Sequence, residues 1–342
     1  MKSEARRPLM ILREYLYVDT TAVRGILAQL DAGIVESETS AKESDKKSAG
    51  GVKGFVEHAQ NWSEARTTTK AMADALFPQL EDALESEGLL EDVSELINSD
   101  DFWAEEEVQE RLHPGKIVRV TAPGYLIDAR FIATILGGFA AVDRGMVNMG
   151  ITQVAVDPVL PPKAKGPKSK PYKEMPGESE NLEGGIPIGR LAFGDENGIS
   201  GEFLRGVVQV TRGMFAPGLH LSLAPDAEGA GAISVRLQEG RQFLDVEPDI
   251  LFANYGVGVQ EWTVVGTIGH HPLPTPDLSD GDFMFADGEG VRRGEFGRYV
   301  NQLGTTLANL GFTDLPQAPG FSLIPWAVYR TIAIAGVGKE DL

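Results

Sequence analysis

No cysteine occurs among the 342 residues. That excludes a disulfide framework, thiolate zinc sites, cysteine nucleophiles and cysteine-ligated iron–sulfur clusters, and it fits a reducing compartment. Histidine is scarce as well, with five residues to serve as metal ligands. No apolar run of about 18 residues exists, so no transmembrane helix and no stable membrane insertion are expected. The opening MKSEARRPLMILREYLYV is positively charged, but Arg13 and Glu14 interrupt the apolar core a secretion signal needs. A cytoplasmic protein is the expectation. The phosphate loop Gly-x-x-x-x-Gly-Lys-Ser/Thr, the His-Glu-x-x-His helix and the Gly-x-Ser-x-Gly elbow are all missing. GEGVRRGEFG, from Gly288 to Gly297, has the wrong spacing for a dinucleotide loop.

Another absence is regional. Between Lys70 and Arg111 there is no lysine or arginine, while 14 acids fall there in a chain of net charge −19. This one segment makes the protein acidic. The acids, among them Asp100, Asp101, Glu105, Glu106 and Glu107, are expected on the outer faces of amphipathic helices. There they solvate the surface or dock a protein partner with a basic surface, since a field of one sign steers association.

What is present begins with Glu14 to Gly33, EYLYVDTTAVRGILAQLDAG. Tyr15 and Tyr17 favour a half-buried strand. Asp19 or Thr20 can cap the helix that follows, whose Val23, Ile26, Leu27 and Leu30 form one apolar stripe. Gly33 is the expected C-terminal stop. Asp19 and Gln29 could serve a site, but capping and solvation explain them equally.

This opening, a Ser/Gly/charge-rich insertion, the helix around ALFPQL and the terminal IPWAVYR together resemble an uncharacterised family of bacterial proteins. The resemblance implies a bacterial protein with an accessory role, in defence or toxin systems. It carries over no catalytic residue, and neither it nor the residues name a cofactor.

Residues 34–70 are polar, small and charged, and are expected to be a flexible insertion. A membrane-inserting hairpin is the sharper alternative, although the apolar alternation of a lipid-facing strand is missing. Met72, Leu76, Leu80 and Leu84 predict a helix over 71–87 that Pro78 kinks or restarts. Leu89–Asn98 predicts a second short helix, and Trp103, Val108 and Leu112 mark a third. Lys116–Thr121 alternates as a strand, with a turn at Ala122–Gly124. Asp128–Val142 predicts a buried helix with Gly137 and Gly138 at a close contact, and Ile151–Val156 another strand.

From Asp157 to Gly189 the chain is rich in proline and lysine, which predicts an extended linker. Nucleic-acid binding is not expected, because no aromatic residues interleave with the lysines and the chain is acidic overall. Beyond it, Ser200–Thr211 is ambiguous between helix and strand. Leu219–Leu223 and Ile233–Leu237 predict a hairpin, and Glu247–Asn254 a helix with Pro248 at its first position. Glu261–Ile268 predicts an internal strand, Phe296 to Leu310 a long amphipathic helix, and Phe321–Ala335 a strand or strand pair broken by Pro325. Glu202, Arg205 and Arg212 form no pattern beyond a solvated face. The fold class expected is α+β, in two mixed units: 1–156 with the insertion and acidic helices, and 190–342, joined by the 157–189 linker.

Three functional readings follow. The leading one is a non-catalytic interaction protein working through its acidic first unit. The second is a metal-dependent enzyme using His270, His271, Asp277 and Asp280 at a strand end, where imidazoles and carboxylates suit a divalent cation. Its plain counterpart is a surface loop, because Asp-Gly pairs are ordinary turn formers. The third is membrane activity through residues 34–70.

Overall fold

The computed structural model describes residues 12–39, 68–103, 105–151, 186, 191, 199–225, 231–240, 242–274 and 292–332. Its class is α+β. The chain falls into two compact units, one of Met1–Leu126, Leu219–Leu310 and Leu315–Leu342, the other of Ile127–Gly218 and Gly311–Asp314.

The first unit is built on a seven-stranded mixed sheet. Its strands are β1 (Leu12–Val18), β2 (Glu91–Asp92), β3 (Ile117–Ile127), β4 (Leu219–Leu223), β5 (Ile233–Leu237), β6 (Gln260–Ile268) and β7 (Phe321–Ile332). β6 lies between β3 and β7, antiparallel to both. The start of β7 runs parallel to β5, which forms the expected hairpin with β4. β4 returns to β3, closing a five-stranded barrel in the order β3–β6–β7–β5–β4. β1 is added to the far end of β7 and β2 to β3. Strands from both sides of residues 157–189 therefore share one sheet. The change in composition there does not separate two sheets.

Closure depends on close backbone approaches. A Cβ on Gly124 would lie 2.7 Å from Leu223 Cδ2 and from the Ser222 carbonyl oxygen, where β3 meets β4. A Cβ on Gly266 would lie 2.1 Å from the Ile324 carbonyl oxygen. That glycine sits at the register shift that admits Pro325 into β7. Two expectations are thereby corrected. β3 runs through Ala122–Gly124 without a turn, and β7 is one strand despite Pro325. The proline ring removes a donor, but neighbouring strands and a glycine opposite absorb the loss.

The helices of this unit are α1 (Thr20–Thr39), α2 (Thr68–Ser86), α3 (Ser94–Ile97) and α4 (Glu105–Arg111), with a 3-10 turn at Asp100–Trp103. Asp19 Oδ1 accepts from the Thr21 and Ala22 amides at 3.0 and 2.9 Å, so it is the cap of α1. α1 continues through Gly33 to Thr39. A glycine inside a helix costs only about 1 kcal/mol relative to alanine and does not have to end it. Leu76, Phe77, Leu80 and Leu84 of α2 pack with Val18, Val23, Val265, Ala327 and Tyr329 in one core. α2 passes through Pro78 without a break. Leu89–Asn98 is not one helix. β2 takes its start by pairing with β3, and only Ser94–Ile97 is helical.

The second unit contains α5 (Ala129–Asn148) and α6 (Gly201–Met214). Asp128 caps α5 by accepting from the Arg130 amide, and Ser200 caps α6 by accepting from the Phe203 amide. The cap resolves the ambiguity of Ser200–Thr211 in favour of a helix, against the β preference of its valines. Residues 152–156 and most of 157–189 lie outside the described residues. α7 (Pro248–Tyr255) and α8 (Arg293–Asn309) complete the helices and belong to the first unit.

Candidate functional site

Four places in the structure carry chemistry or unusual surface. The first surrounds Glu81 on α2, whose side chain is almost fully buried, with 1% of the residue exposed. The expectation that every acid of the 71–110 segment faces outward fails here. Its position on the packed face of α2, between Phe77 and Leu84, turns it inward. A buried carboxylate needs partners. Arg119 of β3 supplies Nε and Nη2 at 2.9 and 2.6 Å, Arg13 of β1 donates to the other oxygen, and the Tyr329 hydroxyl donates at 3.2 Å. Arg119 also pairs with Glu85 and, at 3.4 Å, with Asp92, while Lys116 pairs with Glu91 at 2.7 Å. Burial lowers the pKa of the Arg119 guanidinium, but its hydrogen bonds to Glu85 and Glu81 more than offset this and the net shift is upward. Burial, then the charge of Glu81, pushes the Tyr329 phenol up. This cluster is closed on itself and ties α2 to three strands. Part of the acidic segment is therefore neutralised within the molecule.

The second place is the Arg330 guanidinium, which lies 4.5 Å from the Tyr255 ring centroid and 5.5 Å from that of Trp262. It donates to Glu14 at 2.6 Å and to Gln260. Both aromatic faces and both acceptors are on the first unit, and the cation is held as a structural rivet.

The third is the proposed metal site. His270 is exposed, and its amide donates to Ser322 Oγ at 2.9 Å. His271 is buried. Its Nε2 donates to the Leu112 carbonyl at 2.5 Å, and its ring lies 5.7 Å from that of Phe321. The two neighbours therefore face opposite surroundings, as alternation along an extended chain dictates. Asp277 and Asp280 lie outside the described residues. Among the described residues no group of three or more histidines and acids is placed to hold a metal ion.

The fourth is apolar surface, which sequence reasoning missed. α5 and α6 pack through Ala133, Ala140, Leu204 and Val208, with Ile186 and Leu191 beside them. Ile135 and Val142 of α5, Met149 at its C-cap, and Phe203, Val210 and Met214 of α6 are left between 36 and 68% exposed. The expected close contact at Gly137 and Gly138 is not there: nothing lies within 4 Å of a Cβ built on either. α5 is not a buried helix: its buried residues are Ala129, Ala133, Ala140 and Asp143. The exposed positions 135, 142 and 149 recur every seven residues, a spacing legible in the sequence. Arg205 of α6 donates to the Ile186 carbonyl at 2.7 Å.

Of the predicted partner-binding acids, Asp100 and Asp101 fall in the 3-10 turn and Glu105, Glu106 and Glu107 open α4. Asp82, Glu87, Glu95 and Glu110 of the same segment are exposed. The insertion at 34–70 lies outside the described residues except where α1 and α2 enter it. Among the described residues no helix is long and apolar enough to cross a membrane.

The chain belongs to the family described as a domain of unknown function, DUF6414, whose model matches residues 12–193. The match opens at β1 and stops before β4, so of the five barrel strands it covers β3 alone. No curated protein and no solved structure matches the chain significantly.

Proposed function

We propose that this member of the DUF6414 family is a cytoplasmic, non-catalytic interaction protein that holds a protein partner on the apolar faces of α5 and α6. The observation that carries the reading is the apolar surface left on that helix pair. Ala133, Ala140, Leu204 and Val208 are buried between the helices, and Ile135, Val142, Phe203, Val210 and Met214 of the same two helices are nonetheless exposed. An exposed apolar patch of this kind marks a surface that another molecule covers.

A second reading rests on a different observation, the exposed acids Asp82, Glu87, Glu95 and Glu110 in a segment without a basic residue. It is a dock for a basic partner. The two are separated by affinity capture from host extract with wild type and a Val142→Asp, Phe203→Asp double variant. On the first reading the variant loses a stoichiometric partner that wild type keeps in about 1 M salt, where charges are screened beyond about 3 Å. Capture by the variant, lost as salt rises, transfers the reading to the acids. An accessory role in bacterial defence is the setting this proposal carries, tested by the identity of the captured protein.

A further inference from the structure

Among the described hydrogen bonds, α8 is tied to its unit at its C-terminal end. Asn309 Nδ2 donates to the Leu273 carbonyl at 3.1 Å, and Gln317 Nε2 donates to the Asn309 carbonyl at 3.1 Å. The buried residue of α8 is Ala308. Val300, Leu303 and Leu307, with Leu310 at the C-cap, are 37 to 62% exposed. They lie within about 80° of one another around the helix. Leu273, beside that end, is 56% exposed and extends the apolar surface. Phe296 and Tyr299 already have partners within the chain and are no part of it.

The other end of the stripe is charged. Arg293, seven residues before Val300, opens α8 on the same line, and Arg292 is its N-cap. A helix dipole favours acids at its N-terminus and disfavours cations there. Glu295 of the first turn pairs with Arg292 at 3.2 Å. Arg293 is exposed, and among the described residues no acid pairs with it. An arginine so placed carries a local cost, which a carboxylate brought from outside would remove.

We propose that α8 is a docking helix for another protein, and that it takes an amphipathic helix with an apolar seam and a carboxylate at one end. Charge complementarity selects this occupant. Val300, Leu303, Leu307 and Leu310 meet its apolar side chains, and Arg293 meets its acid. A seam in which charge gives way to leucine has a direction, so it fixes the register of the helix laid on it. The same arginine selects against a second copy of α8. A parallel copy would set Arg293 against Arg293, and an antiparallel one would set it against leucine at the far end. A stripe this narrow is the seam that another helix fills, narrower than the face a helix turns to a core. An anionic membrane is disfavoured by the net charge of −19. This surface belongs to the barrel unit, and the inference stands whether or not α5 and α6 hold a partner.

The test uses the full chain and a labelled synthetic peptide of about three heptads, with leucine along its seam, glutamate at the first seam position, and alanine and glutamine elsewhere. A twin peptide carries lysine in place of that glutamate. The glutamate peptide is expected to bind with a Kd of about 10 µM, and the lysine peptide at least about tenfold more weakly. In Arg293→Glu the preference should reverse. Leu303→Asp should lose both peptides while keeping the wild-type thermal transition. Should that variant fail to fold, the charge swap at exposed Arg293 decides alone. No binding of the glutamate peptide at about 100 µM, equal binding of the two peptides, or a preference that survives Arg293→Glu would each overturn the proposal. So would self-association in sedimentation that Leu303→Asp abolishes, which assigns the stripe to a second copy. Binding to phosphatidylserine vesicles that the same variant loses would overturn it too, in favour of a membrane.

Discussion

The barrel unit and the helix-pair unit place their side chains in opposite ways. In the barrel unit a carboxylate, Glu81, is buried among Phe77, Leu80 and Leu84, and Trp262 and Phe321 are nearly inaccessible. In the helix pair, Ala133, Ala140, Leu204 and Val208 fill the interior, yet Ile135, Val142, Phe203 and Val210 of the same two helices face out. Residue type does not account for this, because α5 is among the most apolar segments of the chain. The number of surrounding elements does. β6 has a strand on each edge, and its Val265 lies in the core that α1 and α2 cover. α5 packs on α6 through Ala133 and Ala140, and a single helix covers one face. Burial thus reports how many elements topology brings together. Where it brings too few, apolar surface remains for another molecule.

The largest effect that would break this contrast is expected from Gly266→Ala. The new methyl would meet the Ile324 carbonyl oxygen at 2.1 Å, and relieving it means parting β6 from β7. A loss of at least about 3 kcal/mol in chemical denaturation, or failure to fold, is expected. Glu81→Ala comes next, at about 3 kcal/mol, since Arg13 and Arg119 lose the acid they share. Their partial exposure keeps the figure at the low end of the range for broken buried pairs. An unchanged unfolding midpoint in that variant would show the cluster to be ornamental.

Ala140→Leu should act on the other unit. Overpacking there costs about 1–3 kcal/mol, and hydrogen exchange should speed up in α5 and α6 and not in β6. Uniform acceleration would mean that the two units unfold as one. Alkaline pH should again single out the barrel. Burial raises the Tyr17 and Tyr329 phenols above their ordinary value of 10.0. Above pH 10.0 the unfolded chain releases protons that the folded chain retains, so stability is flat below that value and falls as pH rises beyond it. Tyr329→Phe should make the fall shallower, read from denaturation midpoints across the pH series. The smallest effect is expected from Val142→Asp with Phe203→Asp, within about 0.5 kcal/mol, because both side chains already lie in water. A large loss would mean that this face is covered within the chain.

Local elements were legible residue by residue. Asp19 and Ser200 capped the helices they precede, Pro248 opened α7, and the alternating leucines of β4 met Ile233, Val235 and Leu237 in register. Those signals act over a few residues, so the pattern in the chain is the cause itself. The turn placed at Ala122–Gly124 failed because Pro123 and Gly124 are ordinary turn formers when alone, and here neighbouring strands hold them extended. The apolar α5 was expected to be core because periodicity tells which side is apolar and not what lies against it. His270 and His271 adjoin in sequence, yet the first is exposed and the second buried.

The sequence by itself determined the caps, the apolar stripes, the strand alternation and the concentration of acid, all properties of neighbours along the chain. Tertiary structure alone decided that strands on both sides of residues 157–189 close one barrel, and that Glu81 turns inward to Arg13 and Arg119. It also decided that the stripes of α5 and α8 remain in water. Each of these depends on which distant segments meet. Glu81 and Tyr329 are 248 residues apart, and no local preference specifies that meeting.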